Sequence, residues 1–206
     1  MSADKIVLFL ILAVVSSYKI IYGINFWKEK ENDLSLLWKS KKFYGFAILG
    51  FFVWLLLWFA GKRSWRVIRI ADLYYTYAIL ALVDSKRRIV PEEILAAYFI
   101  GQMLLGITGM PIRSVLSVLL SGILFTGILI AVTRIVSGKM GMGDVKLLGV
   151  TAMTAGWQYT LQVLMWGMGI SFFYGMGLLC IAKKTIKEEF PFVPFLAAGI
   201  GLQIMI

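Results

Sequence analysis

Hydrophobic residues run along this chain in long blocks, separated by short clusters of charge. The blocks at 6–27, 43–60, 67–83, 94–112 and 114–133 each approach or reach the roughly 17–25 residues a helix needs to cross a bilayer. The block from Val145 to Ala182 would extend about 57 Å as one helix at ~1.5 Å per residue. That is nearly twice the ~30 Å hydrocarbon core, so this block must turn. Gly156-Trp157-Gln158-Tyr159 offers the place, with a glycine stop and interfacial aromatics. A last block covers 190–206. The pattern predicts an all-α, polytopic integral membrane protein of about eight transmembrane helices. The one long polar connection, 28–42, carries Leu34, Leu36, Leu37 and Trp38, a short amphipathic turn suited to the membrane surface. No internal repeat or low-complexity segment is visible.

Composition agrees. Of 206 residues, 60% are hydrophobic and only 16% charged, against roughly a quarter charged in soluble domains. The first block, within Met1–Trp27, lacks a small-residue cleavage site after it, so it reads as a retained helix. Net charge is +10, and the basic residues gather at the ends of the apolar blocks. There they orient the helices and meet anionic lipid headgroups. No basic stripe is interleaved with polar sequence, so no nucleic-acid partner is expected. With eight crossings, the connections 28–42, 84–93, 134–146 and 183–189 share one side and hold fourteen of the 21 Lys and Arg. That side should face the cytoplasm. The Lys62–Arg69 cluster departs from this pattern, and Lys19 falls inside the first block.

Absent residue types narrow the chemistry. With no histidine there is no Ser-His triad, Cys-His pair or His-based zinc site. The single cysteine, Cys180, lies in an apolar block and reads as packing; alone it makes neither an intrachain disulfide nor a cysteine metal cluster. Carboxylates, Ser-Lys pairs and tyrosine remain.

Three of the 11 acidic residues sit within or at the edge of apolar blocks: Asp72, Asp84 and Asp144. Two crossings separate Asp84 from Asp144, and an even number returns the chain to the same side. Asp72, twelve residues before Asp84 on one helix, is about 18 Å away along the axis and so at the wrong end. It is expected near the outer surface, paired with Arg69 by i,i+3 spacing. Two carboxylates in a low-dielectric site do not both ionise easily, so one stays a base while the other keeps a proton. Such a pair activates water against a peptide carbonyl without metal or cofactor. Simpler readings exist. Asp144 is a good N-cap for a helix beginning at Val145, Asp84 a helix-end charge balanced by Lys86, Arg87 and Arg88, and the glycines around Asp144 a means of tight packing.

Three stretches resemble the type IV prepilin peptidase family, which includes the preflagellin peptidases. Asp84-Ser-Lys-Arg-Arg88-Ile-Val-Pro91 is similar to D-x-K-x-R-x-I-P, with Val90 inserted after Ile89 or standing in the Ile position. Gly141-Met-Gly143-Asp144-Val-Lys146 matches G-x-G-D-x-K. Pro191-Phe-Val-Pro194-Phe-Leu-Ala-Ala-Gly199 is similar to P-F-G-P-F-L-A-x-G, with Val193 in place of a glycine. The resemblance implies a six-helix GxGD aspartic peptidase core at 67–206, preceded by two helices and a loop at 1–66. It implies a catalytic pair, Asp84 and Asp144, facing the cytoplasm. The substrate would be a pilin, pseudopilin or flagellin precursor with a short basic leader before an apolar helix. Gly141 and Gly143 would let the scissile segment lie against bare backbone. Lys146, which would hold a lipid phosphate or bias Asp144 towards ionisation, and Pro194 would stand on the same substrate side. The cytosolic cysteine cluster of bifunctional members is missing, so peptidase activity without N-methylation is expected.

Two alternatives differ in chemistry. Presenilin-type and signal-peptide-peptidase-type proteases place Tyr before the first aspartate and carry a Pro-Ala-Leu stretch; here Val83 precedes Asp84, and the late stretch is Pro194-Phe195-Leu196. A proton-coupled transporter would use the aspartates at a half-helix start, yet no paired inverted segments are seen.

Overall fold

A computed structural model describes residues 3–27, 41–60, 65–135, 141–182 and 191–205. Among them lie eight helices, numbered here α1 Ala3–Trp27, α2 Lys41–Ala60, α3 Trp65–Arg87, α4 Glu92–Gly109, α5 Ile112–Ile135, α6 Met142–Ala155, α7 Trp157–Ala182 and α8 Val193–Met205. The amphipathic turn expected around 34–38 and most of the basic connections lie outside the described residues.

Within α1, Ile6–Phe26, and the whole of α5 are each long and apolar enough to cross a membrane. By contrast, α6 and α8, with 14 and 13 residues, extend only about 20 Å, short of the ~30 Å hydrocarbon core.

The element boundaries show local chemistry at work. α3 continues beyond residue 83 to Arg87, because Lys86 and Arg87 in its last turn suit the negative end of the helix dipole. Glu92 and Glu93, expected in a loop, form the first turn of α4, where acidic side chains are favoured. The break between α4 and α5 falls at Met110-Pro111, two residues earlier than the charge at Arg113 suggests. Met110 is extended (φ −138°, ψ 154°), as the residue before a proline prefers. The expected turn at Gly156 is present. Its φ of +98° is a conformation glycine reaches without a Cβ penalty, and its N–H still bonds the Ala152 carbonyl.

The chain divides into two compact units. The first comprises residues 1–79 and 91–115. Its apolar core joins Leu8, Phe9, Leu12 and Ala13 of α1 to Trp54, Ile68 and Leu105, following the i, i+4 stripe of a helix face. A polar knot lies in the same unit. Lys19, fully buried, reaches Asp72 Oδ1 at 2.6 Å and Thr76 Oγ1 at 3.0 Å. Gln102 donates to the other Asp72 oxygen at 3.1 Å and accepts from Arg69. Asp72 is thus interior, 1% exposed, and takes an ion pair from α1 where a surface pairing with Arg69 was expected.

The second unit comprises residues 80–90 and 116–206. Glycines let its helices approach closely. A Cβ on Gly149 would meet Thr126 at 2.7 Å, and one on Gly199 would meet the Gly167 nitrogen at 3.1 Å. Val145, Leu147, Leu148 and Ala152 of α6 are buried. Cys180 is exposed; the expectation that it packs is not met, since it falls on an outward position of α7.

Candidate active site

Three chain segments of the second unit meet at Asp84. The first is the end of α3. The Arg88 N–H closes the last turn on the Asp84 carbonyl at 2.9 Å, and Arg88 itself adopts φ 54°. That left-handed position after a helix usually holds glycine, and a side chain there costs about 1 kcal/mol or more. Asp84, 5% exposed, is thereby fixed in the final helical turn.

The second is the start of α8. The Phe192 carbonyl accepts from the N–H groups of Phe195 and Leu196, so Phe192 is the N-cap and the N–H groups that follow have no partner within the helix. The Val193 N–H donates to Asp84 Oδ2 at 3.1 Å, and the Phe192 amide also favours the charged form of this carboxylate. Asp84 thus caps α8 from 109 residues away in sequence, at the end of the helix that favours an anion. Pro194, half-buried, is the second residue of α8, an early position where its missing N–H deprives no carbonyl.

The third is the start of α6. The Gly141 carbonyl accepts from Asp144 and Val145 N–H at 3.0 and 3.2 Å, making Gly141 the N-cap and Asp144 a first-turn residue. The N-cap role considered for Asp144 therefore belongs to Gly141, and no side-chain cap forms. The Asp144 carboxylate folds back over Gly141, where a Cβ would lie 3.2 Å from Oδ2. Gly143 turns the side on which a Cβ would stand towards Val90. Lys146 is exposed and, two residues past Asp144, stands about 200° around the helix from it.

Both carboxylates lie outside the apolar spans, and their electrostatics differ. Burial pushes Asp144 up to about 6, with the Asp84 charge adding in the same direction. Burial also raises Asp84, but the Val193 and Phe192 amides and the Arg88 guanidinium oppose the rise. Burial thus raises both carboxyls, and amides and a guanidinium oppose the rise at Asp84, a difference of the kind that can separate an acid role from a base role.

The amides of α8 and the turn at Arg88 were not singled out from sequence. Pro194 carried a usable signal, since a proline early in a helix marks free N–H groups just before it. Nothing local marked Arg88 for a positive φ.

Comparison with known proteins places the chain in a family. The model of the type IV leader peptidase family matches residues 71–179. The prepilin leader peptidase/N-methyltransferase of Aeromonas salmonicida strain A449 is 27% identical over 134 residues, covering 62% of this chain and 46% of that protein. The protein of the same name from Aeromonas hydrophila shows the same identity over the same shares. The chain thus spans about half the length of the curated relatives it matches. No solved structure matches.

Proposed function

This chain belongs to the type IV leader peptidase family, and we propose that it is a membrane aspartic endopeptidase that removes the basic leader from prepilin-like precursors. The observation that carries the reading is the Val193 N–H bond to the Asp84 carboxylate, beside the packing of Gly143, the residue before Asp144, against Val90, six residues past Asp84. In this reading Asp84 is the base and Asp144 the acid.

A water between them gives a proton to Asp84 as its oxygen attacks the scissile carbonyl, while Asp144 protonates the carbonyl oxygen. The tetrahedral diol then collapses. Asp84 returns its proton to the leaving amine, the C–N bond breaks, and Asp144 recovers a proton from the diol. One water is consumed, and both acids return to their starting states.

The family's membrane setting agrees with the two long apolar helices. We assign the chain a multi-pass topology, with 67–206 as catalytic core, 1–66 as an N-terminal addition and the dyad at the cytoplasmic face. The precursor's apolar helix would stay in the bilayer while its leader crosses the start of α6. Gly141 and Gly143 would then present bare backbone, with Pro194 and Lys146 on the flanks. The curated relatives are named as N-methyltransferases as well; for this chain we propose peptidase activity alone. Transfer of labelled methyl from S-adenosylmethionine to the new N-terminus would overturn that part.

The decisive experiment incubates the lipid-reconstituted protein with a prepilin precursor and maps the fragments by mass spectrometry. A cut between leader and apolar helix is expected from the wild type. Asp84→Asn and Asp144→Asn should give none. A cut inside the apolar span would instead favour a presenilin-type protease.

A further inference from the structure

Val90 takes no part in the reaction above, yet it is only 9% exposed. A Cβ placed on Gly143 would stand 3.2 Å from Val90 Cγ2, 3.3 Å from its Cβ and 3.7 Å from its nitrogen. The first two are closer than the ~3.5–4.0 Å at which carbon atoms attract best. The Val90 side chain therefore occupies the room that Gly143 leaves. Gly143 directly precedes Asp144, and Val90 follows Asp84 by six residues, just past the turn at Arg88. Each end of the contact is stiffly joined to its acid. Arg88 N–H closes on the Asp84 carbonyl, and Asp144 N–H closes on the Gly141 carbonyl. Valine suits a spacer because its branched Cβ restricts χ1.

We infer that Val90 is a positioning residue: seated against Gly143, its side chain sets the separation of the Asp84 and Asp144 carboxylates. This rests on the reading of those aspartates as a working pair. The geometry gives a reason, separate from substrate access, for a glycine just before Asp144. A methyl at 143 would force Val90 or the start of α6 to give by a few tenths of an ångström, and Asp144 moves with α6. Misplacement of a catalytic group by about 1 Å can cost ~100-fold in rate.

The test is a double-mutant cycle in the full-length, lipid-reconstituted protein: Gly143→Ala, Val90→Ala and both together. Precursor cleavage and thermal melting are followed across pH. Gly143→Ala should lower kcat about tenfold and change KM by less than about threefold, since a shift of a few tenths of an ångström costs less than the ~100-fold of a full ångström. Val90→Ala should lower kcat about tenfold, and the double variant should regain at least threefold over Gly143→Ala, since the new methyl enters the vacated space. In Val90→Ala the alkaline limb of the pH profile should also move up, because a shorter spacer lets the Asp84 charge stand closer and raise Asp144 more. Additive losses in the cycle, with the limb unmoved, would overturn the inference. If Gly143→Ala does not fold, the limb of Val90→Ala decides by itself. Inactive Asp84→Asn and Asp144→Asn beside an additive cycle would sink the role of Val90 alone; full activity in either aspartate variant would sink the dyad itself. If the wild type cleaves no precursor, the pH dependence of melting in Val90→Ala reports the Asp144 titration and decides the inference separately.

Discussion

Helix α3 carries two buried aspartates, and their surroundings are opposite. Asp72 is met by Lys19 at 2.6 Å and Gln102 at 3.1 Å, with the rings of Tyr75 and Tyr98 each 5.7 Å from the lysine nitrogen. Asp84, twelve residues on, rests on backbone amides and has a second carboxylate as neighbour. A buried charge met by an opposite charge and hydrogen bonds belongs to the architecture. A buried charge beside a like charge, held by dipoles, keeps its proton affinity available for use. Burial alone therefore does not separate Asp72 from the aspartate proposed to react; the company each keeps does.

The largest expected difference is in catalysis. Asp84→Asn and Asp144→Asn should each lower cleavage by at least ~10³-fold, because general acid–base groups supply about 10²–10⁴-fold apiece and here they act as a unit. Asp72→Asn should leave cleavage per folded molecule near wild type. Quantifying both against the folded fraction, by size-exclusion chromatography in detergent, separates the two aspartates cleanly. A tenfold or greater loss per folded Asp72→Asn molecule would erase the contrast.

Stability should show the reverse ranking. Lys19→Met leaves Asp72 buried without its counter-ion, and breaking such a pair costs about 3–5 kcal/mol. Replacing both groups, as in Lys19→Met with Asp72→Leu, should return most of that loss, since apolar substitutes for a buried ion pair are often neutral or better. Thermal melting of the two singles and the double would measure the coupling. A double variant no more stable than the singles would show that Gln102 and Thr76, not the ion pair, hold the knot together.

This contrast was only half legible in the sequence. Block length demanded a turn between Val145 and Ala182, and the glycine stop with its interfacial aromatics placed it at Gly156, where the structure has it; crossing parity offered a common side for Asp84 and Asp144. Both signals are one-dimensional, so a sequence can carry them. The partner of Asp72 depends on how α1 is rotated against α3, and nothing near Lys19 encodes that angle; i,i+3 spacing offered Arg69 instead. The same limit hid the amides of α8. Residues 192 and 193 approach Asp84 only after 109 residues of chain have folded back. Motif resemblance located the stretch, but the hydrogen bond that fixes the acid is a fact of packing.

A third test sharpens the asymmetry within the dyad. If Asp144 is the acid, it must be protonated, and its position near 6 sets an alkaline limb. On the wild-type enzyme, kcat/KM should fall about tenfold per pH unit above that point. A second limb should appear at lower pH, as Asp84 becomes protonated and loses its function as base. A profile that keeps rising through pH 8 would reverse the two roles.

The smallest effect concerns what the site costs the fold. A carboxyl raised from 3.8 to about 6 is harder to ionise in the folded chain than in the unfolded one. It therefore subtracts stability as pH rises from about 4 through 6, and the penalty is fully present above that. Asp144→Asn removes the titration. It should raise stability at pH 7–8 by about 1–2 kcal/mol, after discounting for solvent that reaches the half-buried group. At pH 3.5, where both states hold the proton, the gain should vanish. Asp72→Asn should lose stability at pH 7–8 by leaving Lys19 uncompensated, so the two Asn variants move in opposite directions. Melting curves at pH 3.5 and 7.5 would test this. A stabilising Asp144→Asn is what a group kept for chemistry should produce; a destabilising one would mean that Asp144, like Asp72, helps hold the fold together.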